Sequence, residues 1–214
     1  MPRILNLGSR IELVPMDSHC GDISVALYRR EESDGPEFLV HTYSNREDAD
    51  ERVRFISAGM KVLGNVEDSP ANPGCLRFPC GHGHELACRR LFLEVCKLPT
   101  GSDLVPRPLS VFDKKAGKEI VVVSEGEGLY TVTADDPGES MTLRRIAATA
   151  GGLAKLGEME QAGDRRDRVR FACGQSHDNL VAVLLPRALN VRTAMREAEA
   201  AAARGVLSAP SAQE

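Results

Sequence analysis

One nine-residue pattern occurs twice in this chain, and its spacing limits the folds open to it. Residues 77–85 read Arg-Phe-Pro-Cys-Gly-His-Gly-His-Glu, and residues 170–178 read Arg-Phe-Ala-Cys-Gly-Gln-Ser-His-Asp. The shared form is Arg-Phe-x-Cys-Gly-x-x-His-acid, and equivalent positions lie 93 residues apart throughout. At that same offset, without a gap, Arg52, Gly59, Leu63, Gly64 and Glu67 meet the identical residues Arg145, Gly152, Leu156, Gly157 and Glu160. Apolar positions also match: Met60 with Leu153, Val66 with Met159, Leu91 with Leu184 and Phe92 with Leu185. A register held over that length predicts a tandem duplication. Two like units packed about a pseudo-twofold axis would bring equivalent patches together, as a symmetric dimer does.

Periodicity gives each unit the same order of elements. Arg10 to Met16 reads as a strand in which Ile11, Leu13 and Pro15 alternate with Glu12 and Val14, and Pro15 marks it as an edge. His19-Cys20-Gly21 reads as a turn. Asp22 to Arg30 and Glu37 to Tyr43 alternate as strands around a polar Gly-Pro turn. Ser44 with Glu47 forms a capping-box pattern ahead of a helix that Gly64 would close in the left-handed conformation. Asp68 to Gly74 reads as a loop, Cys75 to Cys80 as a short strand, and Glu85 to Leu98 as a second helix with Cys88, Leu91, Phe92 and Val95 inward.

After a linker at 99–108 the order returns. Leu109 to Asp113, Glu119 to Ser124 and Gly128 to Thr133 are expected strands. Asp136, Pro137 and Glu139 signal a helix start, Leu143, Ile146, Leu153 and Leu156 its apolar stripe, and Gly157 its end. Val169 to Cys173 is the short strand, and a last helix begins at Asn179, meets Pro186 and continues through alanine-rich turns to about Arg204. The expectation is an α/β (α+β) two-layer fold, a doubled βββαβα unit with halves at 1–98 and 109–204 and a tail at 205–214.

Composition narrows the function classes. The chain has 214 residues with 42% hydrophobic and 27% charged content, ordinary values for a globular protein with a real core. A net charge of −4 and 4% aromatic content without Trp argue against nucleic acid as a partner. No apolar run reaches the length of a membrane helix. The first sixteen residues carry Arg3, Arg10 and Glu12 and lack an export signal's apolar core. A cytoplasmic location is therefore expected, with the six cysteines read as thiols, ligands or packing rather than disulfides.

The repeated motif joins a thiol and an imidazole to a strand-to-helix turn. Free N–H groups and the helix dipole make such a turn a site for an anion, and favour a thiolate there. Three readings follow. In the first, Cys80, His84, Cys173 and His177 converge on one metal ion, zinc being the natural choice for two thiolates and two imidazoles, with His82 or Cys75 able to replace one of them. In the second, Cys80 and Cys173 are catalytic thiols, and Glu85 and Asp178 orient the imidazoles. In the third, the motif is a device of the fold, with Cys buried, Gly in a turn and His capping a helix. Arg77, His82, Glu85, Arg170 and Asp178 are the candidates to bind a small or anionic ligand. The alanine-rich stretch from Ala194 to Ala203 offers a face for another chain, either a second copy or a regulatory partner.

The doubled element order resembles the duplicated architecture of imidazoleglycerol-phosphate dehydratase, a relative in fold of the GHMP kinases. That family holds metal with paired histidines and a Glu at the same strand-to-helix turn of each half. Here the turns read His82-Gly83-His84-Glu85 and Ser176-His177-Asp178-Asn179, so the resemblance implies the location of a site rather than the dehydratase reaction. Locally, Pro79-Cys80-Gly81-His82-Gly83 and Ala172-Cys173-Gly174-Gln175-Ser176 look like the Cys-Gly-x-Gly turns of diaminopimelate epimerase and the phenazine-biosynthesis isomerase family. That resemblance implies an acid–base pair formed by Cys80 and Cys173 without a cofactor.

Overall fold

A computed structural model describes residues 7–16 and 23–190. The first half contains β1 (Ser9–Met16), β2 (Ile23–Arg30), β3 (Glu37–Thr42), α1 (Glu47–Gly64), β4 (Glu67–Asp68), β5 (Cys75–Arg77) and α2 (Glu85–Cys96). The second contains β6 (Ser110–Asp113), β7 (Lys118–Gly126), β8 (Leu129–Ala134), α3 (Ser140–Gly157), β9 (Met159–Gln161), β10 (Arg168–Phe171) and α4 (Asp178–Ala188). The connection from α2 to β6 carries neither helix nor strand. The turn expected at His19-Cys20-Gly21, the helix beyond residue 190 and the tail at 205–214 lie outside the described residues.

Each half is a five-stranded antiparallel sheet with two helices on one face, an α+β fold. The strand orders are β1-β2-β3-β5-β4 and β6-β7-β8-β10-β9, the same pattern twice. Periodicity predicts neither of the short strands β4 and β9. At two and three residues they are too brief to show a period, and they exist because β5 and β10 present an open edge. β1 forms the edge that Pro15 implies. A bulge between Arg10 and Glu12 exchanges its faces, so Ile11 and Val14 pack on the core and Leu13 is exposed, the reverse of simple alternation.

The helices of one half pack on those of the other, α1 and α2 against α4 and α2 against α3. One continuous core results, drawing Phe38, Ile56, Met60, Leu91 and Phe92 from the first half and Ile120, Leu153, Phe171, Leu180 and Leu184 from the second. Equivalent positions face each other across this junction. Glu94 accepts a hydrogen bond from Arg187, 93 residues on, at 2.7 Å. The Glu158 carboxylate at the end of α3 accepts from the Leu86 N–H at the start of α2, and Asn179 at the start of α4 donates to the Val62 carbonyl near the end of α1. The start of each half's second helix thus bonds to the end of the other half's first helix.

Several repeated residues have roles that the sequence pattern misassigned. Gly64 and Gly157 are the last helical residues, not left-handed caps; those positions fall to Asn65 (φ 54°) and Glu158 (φ 55°). The glycines admit a neighbouring helix instead: a Cβ on Gly64 would overlap Leu91, and one on Gly157 would press Leu184. The capping boxes do not form. α1 starts after Arg46 and α3 after Glu139, neither with a side-chain cap, because Ser44 instead closes a local turn to the Arg46 N–H and Asp136 adopts φ 51° three residues early. Leu143, expected inward, is 53% exposed. α4 runs through Pro186 to Ala188, so the proline falls in the helix's last described turn.

Arg52 and Arg145 explain their own repetition. Arg52 is 7% exposed and donates to the carbonyls of Cys96 (2.7 Å) and Leu98 (2.6 Å), closing the C-terminus of α2. Arg145 donates to the Leu189 carbonyl at the end of α4 (2.8 Å) and pairs with Asp113. A cation there meets the negative end of the helix dipole and fills orphan carbonyls. Arg52→Met keeps the volume and removes the donors, and an expected loss of about 3 kcal/mol in unfolding free energy follows. Urea titration checks it; a loss under about 1 kcal/mol would mean that solvent satisfies those carbonyls unaided. No helix among the described residues is long and apolar enough to cross a membrane.

Candidate metal centre

Local chain geometry aims each Cys–His pair. Phe78 and Phe171 follow or end the short strands and are fully buried. The chain then turns, with the Gly81 N–H donating to the Phe78 carbonyl and the Gly174 N–H to the Phe171 carbonyl, both at 3.0 Å. These glycines sit at φ 73° and 71°, where a side chain would be strained. Cys80 and Cys173 lie inside the turns, and each sulfur accepts a backbone N–H two residues on, from His82 and from Gln175, at 3.4 Å. The carbonyls of His84 and His177 take the first helical hydrogen bonds of α2 and α4. Each imidazole folds back onto its own cysteine, with Sγ–Nε2 distances of 3.2 Å for Cys80–His84 and 3.3 Å for Cys173–His177.

The halves bring the two pairs together. The ligand atoms of Cys80, His84, Cys173 and His177 all lie within 4.8 Å of one another. The His84 and His177 rings approach to 4.7 Å between centroids. Phe78 and Phe171 each set a ring edge against both histidines, at 5.1 and 5.8 Å for Phe78 and 5.2 and 4.9 Å for Phe171. The repeated Phe is thus the wall of the site. Tyr130 braces one side: its hydroxyl accepts the His177 backbone N–H (2.6 Å) and donates to Asp178 (2.9 Å).

Burial governs the charge of this cluster. It pushes the Cys80 thiol up to about 11, with the neighbouring Cys173 adding to the rise. Burial, then the His177 and His82 imidazoles, depress His84 to about 4. His177, 2% exposed and with Nδ1 lacking a hydrogen-bond partner among the described residues, is lowered by burial as well. At neutral pH the histidines are uncharged and the Cys80 thiol keeps its proton. A neutral imidazole with a free lone pair is the form that binds a metal.

The other residues singled out from the sequence do not add ligand atoms to this cluster. Arg77 pairs with Glu67 across β4 and β5 at 2.9 Å, and Arg170 is exposed on β10 opposite Glu160. Strand alternation turns both away from the buried Phe that follows them. Cys75 is buried and accepts from Arg30, outside the cluster. His82 is exposed at the rim and donates from Nδ1 to the Cys80 carbonyl (3.1 Å). Neither acid orients an imidazole: Glu85 pairs with Arg29 at 2.7 Å, and Asp178 takes the Tyr130 hydroxyl. Arg29, Gly83, His84, Glu85 and Arg89 border a polar cleft of about 390 Å³ that reaches the site from one side. Tyr130 and Arg29 lie outside the repeated register, so no sequence signal marked them.

Comparison with family models, with curated proteins and with solved structures found no match.

Proposed function

We propose that the chain is a zinc-binding protein whose single metal centre joins its two halves. The observation that carries this is the convergence of one Cys and one His from each half within 4.8 Å. A tetrahedral zinc with Zn–S of about 2.3 Å and Zn–N of about 2.0–2.1 Å sets its ligand atoms about 3.3–3.8 Å apart. The Cys–His distances of 3.2 and 3.3 Å already lie near that range. Two thiolates cancel the charge of a divalent ion, so the complex can sit between two Phe rings without an unpaired charge. Thiolate and imidazole donors together suit zinc better than magnesium or calcium.

The role is structural. Four protein ligands close the coordination sphere, whereas a catalytic zinc keeps a position for water or substrate. The ion would tie α2 to α4, much as a covalent link between the halves would. The thiol-isomerase reading demands more movement. A carbon atom attacked from both sides needs about 3–3.5 Å to each sulfur, so about 6–7 Å between them. The two sulfurs are no more than 4.8 Å apart. Kinship with the dehydratase fold is a proposal supported by the common order of elements.

Elemental analysis by plasma mass spectrometry tests the function on untagged protein prepared without chelator. One zinc per chain is expected, and none in a Cys80→Ser, His177→Ala variant. Metal-free wild-type protein from zinc-replete cells would contradict it. Zinc loading should also release protons as the thiolates form, read with a pH indicator in weak buffer.

A further inference from the structure

The second half carries a groove that the first half does not share in chemistry. Val132 of β8 and Leu143, Ile146 and Ala147 of α3 wall a cavity of about 680 Å³. A second cavity of about 330 Å³ adjoins it, shares Ala147 and Arg166, and is lined by Ala150, Gly151, Ala154 and Val169. Arg144, Arg165 and Arg166 stand at the rim. Arg165 is held by Asp167 at 2.6 Å, while Arg144 and Arg166 have no hydrogen-bond or ion-pair partner among the described residues.

The 93-residue register shows what changed between the halves. α1 and α3 span equivalent residues end to end, 47–64 and 140–157. Where the second half has Ala147, Ala154 and Gln161, the first has Arg54, Lys61 and Asp68. Lys61 and Asp68 form an ion pair at 3.0 Å across that surface. Where the second half has Arg144, Arg165 and Arg166, the first has Glu51, Asn72 and Pro73. One scaffold therefore carries charged chains over the strip in one copy, and alanines with one uncharged Gln161 and an added cationic rim in the other.

We propose that this groove binds a small amphiphilic anion, an aliphatic chain with a carboxylate head. The apolar walls take the chain, and the larger cavity alone has a volume ordinary for a small-molecule site. The unpaired Arg144 and Arg166 guanidiniums take the head, in the planar two-point geometry that suits a carboxylate. Exposed Met141 and Leu143, 52% and 53% accessible, extend the apolar surface at one end.

Calorimetric titration of the full zinc-loaded chain tests this with three probes: decanoate, decyltrimethylammonium with the same chain and the opposite charge, and acetate with the head alone. Saturable binding of one decanoate per chain is expected, with neither of the others binding. Arg144→Glu combined with Arg166→Gln should weaken it by about tenfold or more, the value of one lost charge-assisted contact. Ala147→Arg, which installs the first half's side chain, should do the same by filling the strip. Circular dichroism and zinc content show whether the variants fold, and the comparison of probes on wild-type protein stands without them. Equal binding of the two ten-carbon probes, or decanoate binding unchanged in both folded variants, would overturn the proposal. So would an acidic amphipathic peptide that binds where decanoate does not, which would assign the groove to a protein partner.

Discussion

Removing the metal should lower the thermal midpoint by about 8–16 °C. At free zinc a thousandfold above Kd, binding to the native state alone adds about 4 kcal/mol. For a chain near this size each kcal/mol shifts the midpoint by about 2–4 °C. The proposed mechanism is specific: the turns ahead of α2 and α4 would lose the ion that joins them, leaving only the edge-on ring contacts of Phe78 and Phe171 with the two histidines. Scanning calorimetry with and without a chelator checks the loss, and zinc returned in excess should restore the midpoint. A Cys80→Ser, Cys173→Ser variant should respond to neither. Identical midpoints with and without metal would contradict a joining role.

The metal-free protein should also be sensitive to acid in a defined direction. His84 is depressed to about 4 from an ordinary 6.5, so below pH 6.5 the unfolded chain takes up the proton first. Its contribution to stability is present above about pH 6.5 and is lost as pH falls towards 4. Denaturant midpoints of the chelated protein across that window check the sign; a flat profile would mean that His84 is solvated in the metal-free state.

Adding one methyl group at Gly152 should cost about 3 kcal/mol, and adding one at its neighbour Gly151 should gain about 0.5–1 kcal/mol. A Cβ on Gly152 would meet the Ala188 backbone, lying 2.8 Å from its Cα and overlapping its carbonyl oxygen. Backbone cannot rotate aside as a side chain can, so α3 and α4 must separate. Gly151 is exposed with nothing within 4 Å, and alanine there only improves helix propensity. The variants share helix, composition and chemistry, so the difference in urea midpoint reports the close approach itself. A Gly152→Ala variant as stable as wild type would mean that α3 and α4 are not tightly packed at this point.

The repeated register makes the site legible, because the same thiol and imidazole recurring at one fixed offset fall on residues that meet when the halves pair. Cys80, His84, Cys173 and His177 were readable for that reason. Other repeated residues were visible but misassigned. Gly64 and Gly157 looked like caps because a glycine at a helix end has two uses, a left-handed turn and a close approach, and only the neighbouring helix distinguishes them. Arg52 and Arg77 were equally repeated, yet one closes a helix end 44 residues away and the other pairs across a two-residue strand. Long-range partners of that kind leave no local signature. Neither do the bulge that turned Leu13 outward or the Arg29–Glu85 pair that took an acid from the site.

Cobalt substitution tests the central claim most directly. Cobalt(II) added to zinc-free protein reports its geometry in the visible spectrum and its thiolate ligands in the near ultraviolet. The account predicts one equivalent bound per chain, with the intense absorption of a tetrahedral site and charge-transfer bands from two thiolates. Cys80→Ser and Cys173→Ser should each weaken those bands, because one sulfur comes from each half. A pale octahedral spectrum, or a tetrahedral spectrum unchanged when either cysteine is replaced, would contradict a centre shared between the halves.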